Sequence, residues 1–196
     1  RRDVEQDTDG DTDALGGVLY DLRTGALPEG TSVELNDVDV IGVWDRGFTV
    51  QDPGAGDAYA GVSVFLGITP GVQVGDRVDL AGVSQDYFGE LQLTIDSAPT
   101  VIGSGLRVTP RVVSPIEAAE ERFEGMLLRV DGDVTNPAYS CRMDAEACTD
   151  GGLWELGGTD GGVVVDRMYD GSNWARNVGR TPVVGVSGFR FDRARL

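Results

Sequence analysis

The chain has 196 residues, with 33 acidic side chains, 16 basic side chains, no His and two Cys. Its composition, 40% hydrophobic and 25% charged, is that of a globular protein. All 16 basic residues are Arg, so the chain lacks both His and Lys. It therefore cannot itself supply a Ser-His-Asp or Cys-His nucleophilic system, a His-ligated metal, a Schiff base or a Walker lysine.

The formal net charge of −17 opposes sequence-independent binding to nucleic acid and to anionic membrane surfaces. The charge is uneven, because residues 176–196 carry five Arg and one Asp. A local basic face and an ordinary solvated strand surface both fit that segment. No apolar run approaches the roughly 18 residues of a membrane span, so no transmembrane segment is expected.

The first 13 residues are polar and contain carboxylates at alternate positions, namely Asp7, Asp9, Asp11 and Asp13. Alternate oxygen ligands are typical of calcium loops, but the twelfth position of an EF-hand loop starting at Asp7 would be Val18, which cannot ligate a metal. The segment is either an acidic linker or a weak calcium site. No other cofactor is expected.

The two cysteines, Cys141 and Cys148, are separated by six residues. Two sulfurs without His rarely form a metal site. A disulfide would close a small loop and would favour the periplasm or the cell exterior as the protein's location. Two unpaired thiols are the alternative.

From residue 18 onward, short runs rich in Val, Ile, Leu and aromatic residues are separated by Gly, Pro and Asp. This pattern predicts strands and turns rather than helices. The predicted strands of the first half are 33–43, 47–52, 60–65, 76–83 and 90–95. Five strands with turns at this spacing predict a small Greek-key barrel.

Residues 114–123 carry the one convincing helix signal. Ser114 is a plausible N-cap, Pro115 suits the first helical position, and Glu117 has capping-box spacing. Ile116, Ala119 and Phe123 would share one face of that helix. The segment should connect two β units.

The sequence after this helix resembles the sequence before it. Strands are predicted at 124–134, 152–156 and 162–165, and the motifs at 74–77 and 82–84 recur about 103 residues later, at 178–181 and 185–187. We interpret this as a tandem duplication. The predicted organisation is an acidic linker at 1–17, a barrel at 18–110, a connecting helix at 111–124 and a second barrel at 125–196.

One stretch carries a family resemblance. The segments 38–43, 47–53, 59–65, 74–78 and 82–89, with 120–128 after them, resemble the OB-fold-like domain of secreted bacterial nucleases of the endonuclease/exonuclease/phosphatase type and of related bacterial surface lipoproteins. The resemblance implies an all-β fold of two tandem OB-like Greek-key barrels. It also implies an accessory module that is extracellular, periplasmic or on the cell surface, with a lipid anchor upstream of residue 1 as a further expectation.

Aromatic residues are the better candidates for a ligand site, because OB folds bind ligands with stacked rings and cations. In the first barrel Phe48 and Phe65 should be packing residues, whereas Trp44 is a candidate, as is Tyr87, which is expected in a loop together with Phe88. For Trp174 core packing and ligand contact are equally good interpretations. The candidate ligand-binding residues are Trp154, Tyr169, Trp174, Arg167, Arg176, Arg180, Trp44 and Tyr87.

These observations predict a non-enzymatic binding or interaction module at the cell surface, with a polysaccharide or a protein as ligand. A nucleic-acid-binding accessory domain of a secreted nuclease system is the first alternative, although it conflicts with the net charge. A carboxylate-based hydrolase is the second alternative. No catalytic residue stands out, since surface solvation explains the many carboxylates more simply.

Overall fold

The computed structural model describes residues 17–136, 153–157, 163–166, 180–190 and 193–196. The acidic segment at 7–13 and both cysteines lie outside these residues. The calcium and disulfide predictions are therefore not tested. Within the described residues the chain is mostly β-strand, with a single α-helix of six residues.

The first half of the chain forms a closed five-stranded β-barrel. Its strands are β1 (Ser32–Trp44), β2 (Gly47–Gln51), β3 (Gly61–Phe65), β4 (Arg77–Tyr87) and β5 (Glu90–Thr94). They pair in the order β1-β2-β3-β5-β4, and β4 pairs with β1 to close the barrel. The β3–β5 pairing is parallel and the others are antiparallel. A sixth strand, β6 (Thr100–Gly103), extends the sheet beside β4.

The barrel interior is filled by apolar side chains from alternate positions of each strand. Phe48, Val50, Val62, Val64 and Leu93 are all completely buried there. Strand alternation explains this core, because every second residue of β2 and β3 points to the same side of the sheet. The packing role expected for Phe48 is confirmed, whereas Phe65 is only half-buried.

Strand β1 has 13 residues, pairs with both β2 and β4, and bends at two places. Its pairing shifts register between Leu35 and Val38, and again between Val40 and Gly42. At the first shift Asp37 has a φ of 56°, and its N–H donates to Asp79 Oδ1 at 2.9 Å. Such bulges turn a strand around a barrel.

A helix that the sequence interpretation missed precedes the barrel. Helix α1 (Val18–Arg23) buries Leu19 and Leu22 in the same core as the strands. Residue 18 therefore begins a helix, not the all-β pattern expected there. The helix is short and no side chain caps its first turn, so its sequence carries no clear start signal.

The helix predicted at 114–123 is instead two short 3₁₀ turns, Glu117–Ala119 and Glu121–Phe123. The capping box does form, since Ser114 N–H donates to Glu117 and Glu117 N–H donates back to the Ser114 hydroxyl. Glu120, however, has an extended backbone (ψ 138°) that interrupts the helix. Ile116 is exposed rather than packed, so the predicted apolar face was wrong.

The described residues of the second half form seven strands. They are β7 (Arg111–Val113), β8 (Leu127–Asn136), β9 (Leu153–Leu156), β10 (Val163–Asp166), β11 (Arg180–Val186), β12 (Gly188–Arg190) and β13 (Arg193–Arg195). Their order in the sheet is β11-β8-β9-β10-β13-β12, and β7 pairs with β8. The β10–β13 pairing is parallel, as β3–β5 is in the first barrel. Only Ser187 separates β11 from β12, so together they occupy the place that β4 has in the first barrel.

In the described part of the chain, no helix has both the length and the apolar character that crossing a membrane requires.

Candidate functional site

The outer face of the first barrel divides into a covered part and an open part. Thr49, Ser63 and Gln92 are cross-strand neighbours on this face, since Thr49 pairs with Ser63 and Ser63 pairs with Gln92. Alternating polar residues of this kind normally face water. All three are nevertheless buried, as is Glu90, which lies on the same face. Something other than solvent therefore covers β2, β3 and β5.

The second unit, which comprises the described residues from Arg111 to Leu196, provides this cover. The N–H of Leu127 donates to Gln51 Oε1 at 2.9 Å. A Cβ placed on Gly42 would lie 3.1 Å from a methyl group of Val186, and one placed on Gly188 would lie 3.8 Å from Glu90 Oε1. The face formed by β2, β3 and β5 is thus occupied by the chain itself.

The backbones of the two units approach each other closely at a pair of glycines. A Cβ on Gly61 would overlap the carbonyl group of Gly125. Gly125 has a φ of 75°, and its N–H donates to the Ser187 carbonyl at 2.8 Å. No other residue type fits either position, because any Cβ would force the two backbones apart.

A buried ion pair lies next to this contact. Arg23 Nη1 is 2.6 Å from Glu124 Oε1, and both side chains are less than a tenth exposed. Arg23 also donates to the Gly61 carbonyl, and Leu91 N–H donates to Glu124 Oε1. Burial raises the pKa of Glu124, and this effect outweighs the opposing effect of Arg23. The pair therefore joins α1, the barrel and the second unit.

Trp44 lies at the end of the first hairpin and is half-buried. Its indole occupies the space beside Gly47, where a Cβ would come within 2.8 Å of the ring. The exposed Arg46 lies over the neighbouring Phe65 ring, 5.3 Å from its centroid, and donates to the Gly67 carbonyl. The Trp44 ring thus packs against its own hairpin, and Arg46 lies over the Phe65 ring of β3.

The second hairpin behaves differently. Tyr87 ends β4, and Phe88 and Gly89 form the two-residue turn to β5. Both turn residues have positive φ, 56° at Phe88 and 88° at Gly89. Phe88 is 81% exposed and Tyr87 is 50% exposed, and their rings meet edge to face at 4.9 Å. We call this aromatic pair the hairpin tip.

The hairpin tip is held in place by Asp86. Gly89 N–H donates to Asp86 Oδ1 at 3.0 Å, and Asp86 N–H donates to Glu29 Oε1 at 3.1 Å. The first bond closes the turn, and the second ties the hairpin to the segment after α1. The ring of Phe88 is therefore presented on an ordered turn, not on a loose loop.

A cleft of about 250 Å³ lies beside the hairpin, between it and the end of α1. Its polar lining includes Gln85 and four carboxylates, Glu29, Asp86, Glu121 and Glu124. The one cation that lines the described cleft, Arg23, is engaged by Glu124 and by two carbonyls. The cleft therefore offers hydrogen-bond acceptors and a negative potential.

A larger groove of about 590 Å³ lies on the outer surface of β1, β4 and β5. It is lined by Ser32, Val33, Glu34, Ala81, Gly82, Val83, Thr94 and Asp96. The Thr94 hydroxyl is shielded from solvent and has no hydrogen-bond partner among the described residues. Glu34 and Asp96 are exposed at the sides of the groove.

The two candidate ligand-binding residues of the first barrel, Trp44 and Tyr87, lie apart in the structure. Tyr87 pairs with Glu90, the first residue of β5. Trp44 is connected through successive pairings in β2 and β3 to Thr94, the last residue of β5. Four strand residues span about 13 Å, so the two rings do not form one site.

The structure describes no side chain for the candidate residues of the second half. Trp154 lies in β9 and Arg180 in β11, where only their backbones are described. The remaining four fall outside the described residues: Tyr169, Trp174, Arg167 and Arg176. The residues around the hairpin tip were not selected from the sequence. The Tyr-Phe-Gly sequence between two alternating strands could have predicted the hairpin tip. No sequence pattern near Glu29 or Glu121 indicated that these residues line the cleft.

Among the residues that the structure describes, no group of three or more Asp, Glu, Cys or His could hold a metal ion. No protein-family model matches the chain. No curated protein and no solved structure matches it either.

Proposed function

We propose that the protein is a non-catalytic module that binds a neutral polysaccharide at the hairpin tip and the adjoining cleft. The observation that carries this proposal is Phe88, a bulky aromatic residue that is 81% exposed on a turn with positive φ.

Two costs fall on this one position. A left-handed backbone costs a residue with a Cβ about 1–2 kcal/mol. Leaving a Phe side chain in water gives up about 2 kcal/mol of burial. Asn, Asp or Gly would satisfy the same two-residue turn at neither cost. An exposed aromatic ring kept under strain is best explained by a ligand that contacts it.

The chemistry beside the ring suits a sugar. Pyranose rings have an apolar face that packs against an aromatic side chain, and hydroxyl groups that donate to nearby acceptors. Glu29 and Asp86 supply carboxylate acceptors in the cleft, and Gln85 supplies an amide. An uncharged polysaccharide is not repelled by a protein of net charge −17.

The alternatives have less support. Phosphate contacts require free cations, and the described cleft presents four carboxylates and one engaged Arg. For a hydrolase, Glu124 is the carboxyl with a raised pKa among the described residues, but Arg23 and Leu91 N–H hold it in structural contacts. We therefore assign Glu124 a structural role.

We further propose that both halves are OB-like barrels that arose by duplication, in an extracellular or surface-attached protein. The strand order of the first barrel and the parallel β3–β5 pairing support the OB-like assignment. The parallel β10–β13 pairing and the position of β11 and β12 support the duplication. The surface location is supported by the acidic composition and the family resemblance alone.

Isothermal titration calorimetry with cellohexaose, xylohexaose and maltohexaose tests the proposed function. We expect at least one to bind, with little dependence on salt, and Phe88→Asn to weaken that binding at least tenfold. Ile68→Asn is the matched control, because Ile68 is 67% exposed at a different site. Failure of all three glycans to bind, or equal binding by Phe88→Asn, would contradict the proposal.

A further inference from the structure

We infer that the binding surface extends beyond the hairpin tip along the outer side of β4 into the groove, so that the ligand is an internal stretch of a linear glycan chain. This inference rests on the proposed function, because it concerns the same ligand. What it adds is the length and direction of the site.

The outer side of β4 connects the two features directly. Ala81, Val83, Gln85 and Tyr87 alternate along the strand and therefore point to the same side of the sheet. Val83 lines the groove, Tyr87 belongs to the hairpin tip, and Gln85 lies between them on the same side. The distance from Ala81 to Tyr87 is six residues, or about 20 Å, roughly four pyranose rings end to end.

Each part of this surface offers a suitable contact. Val83 is 43% exposed and provides an apolar patch between the two polar regions. Gln85 Nε2 donates to Gln92 Oε1 at 2.9 Å, which fixes the side-chain amide and leaves its own oxygen as an acceptor. A row of separate contacts along one line fits a chain better than a single sugar.

The groove adds a polar end to the surface. The exposed carboxylates of Glu34 and Asp96 can accept hydrogen bonds from hydroxyl groups. The groove therefore offers carboxylate acceptors at the end of the row of contacts along β4.

The second unit restricts the direction of the ligand. Glu90 and Gln92, the β5 residues next to β4 on this face, are already buried. A chain cannot continue from β4 across β5 and β3 because the second unit occupies that side. The open path runs along β4, which favours a linear glycan over a branched one.

A length series tests this inference. We would titrate cello-, xylo- and malto-oligosaccharides of two to eight units into the wild type, Phe88→Asn and the double variant Glu34→Ala/Asp96→Ala. Both groove substitutions remove the acceptor oxygens and lie at exposed positions, so the fold should persist, as circular dichroism and the melting temperature would verify.

For the wild type we expect affinity to rise at least tenfold between two and about four to six units and then to level off. The groove variant should keep the disaccharide affinity and lose the rise, whereas Phe88→Asn should weaken every length. Phe88-dependent binding with no length dependence would overturn the extended site and leave the proposed function intact. No binding of any length would overturn both.

Discussion

The outer face of the first barrel has a part that the second unit covers and a part that solvent reaches. On β2, β3 and β5, small polar residues such as Thr49 and Ser63 are buried beneath the second unit. On β4, Val83 and the aromatic hairpin tip remain exposed. The polar residues are covered and the apolar ones face water, which is the reverse of the usual arrangement.

This reversal supports the proposed placement of the ligand on β4. A buried polar group is tolerated where it finds a partner, as Ser63 does by donating to Glu90 Oε1 at 2.6 Å. Exposed apolar groups have no such compensation inside the protein. The covered part therefore serves assembly of the two units, and the open part is available for a ligand.

The largest expected effect comes from breaking the covered part. In Gly61→Ala the new Cβ would overlap the Gly125 carbonyl, and neither backbone can move without disturbing Arg23. We expect the variant to lose about 3 kcal/mol of unfolding free energy, the cost of severe overpacking, as measured by urea denaturation.

Gly71→Ala is the matched control, because nothing lies within 4 Å of the added Cβ and its φ is not positive. Its unfolding free energy should stay within about 0.5 kcal/mol of the wild type. A Gly61→Ala variant as stable as this control would show that the second unit does not pack on the barrel as described.

A smaller effect concerns pH. The pKa of Glu124 is raised above its ordinary 4.5 by burial, so the folded state binds its proton more tightly than the unfolded state does. The Glu124 contribution to stability is therefore greatest below pH 4.5 and falls as pH rises through the folded pKa. Relative to Glu124→Gln, the wild type should lose unfolding free energy between pH 4.5 and 8.

Glu117→Gln provides the opposite case for comparison. Hydrogen bonds from Ser114 lower the pKa of Glu117, so its contribution is present above pH 4.5 and is lost as pH falls through the lower folded value. In urea denaturation, the wild type should gain unfolding free energy relative to Glu117→Gln as pH rises toward 4.5, and should lose it relative to Glu124→Gln as pH rises above 4.5. The same pH dependence relative to both variants would contradict the assigned environments.

The smallest effect concerns the open part. Phe88→Asn relieves the left-handed strain of a residue that contributes little burial, whereas Phe88→Ala removes the ring and keeps the strain. We expect Phe88→Asn to be more stable than Phe88→Ala by about 1 kcal/mol. If the two variants have the same melting temperature, the turn is not strained, and the main argument for a ligand at the hairpin tip is lost.

The strands of the first barrel were predictable because one side of each faces a single core. The run at 33–43 corresponds to β1, and 47–52 corresponds to β2. Helix α1 was missed because six residues carry too few turns for a periodic signal. The predicted helix at 114–123 failed because Glu120 leaves the helical conformation, which its neighbours in sequence do not indicate.

The candidate site was predictable only in part. Tyr87 could be selected from the sequence as a ring near a turn, and it lies at the hairpin tip. Trp44 gave the same local signal but packs beside Gly47. The cover over Thr49 and Ser63 depends on contacts more than 70 residues away in sequence, such as Gln51 with Leu127. A local pattern contains no information on such contacts.

The most direct test of the central claim is an NMR titration of ¹⁵N-labelled protein with the hexasaccharide that binds best. We predict that the amide signals of Val83, Gln85, Tyr87 and Phe88 shift on binding, while those of Thr49 and Ser63 stay in place. Shifts concentrated at Thr49 and Ser63, with no change at the hairpin tip, would contradict the account, because the ligand would then displace the second unit from the covered face.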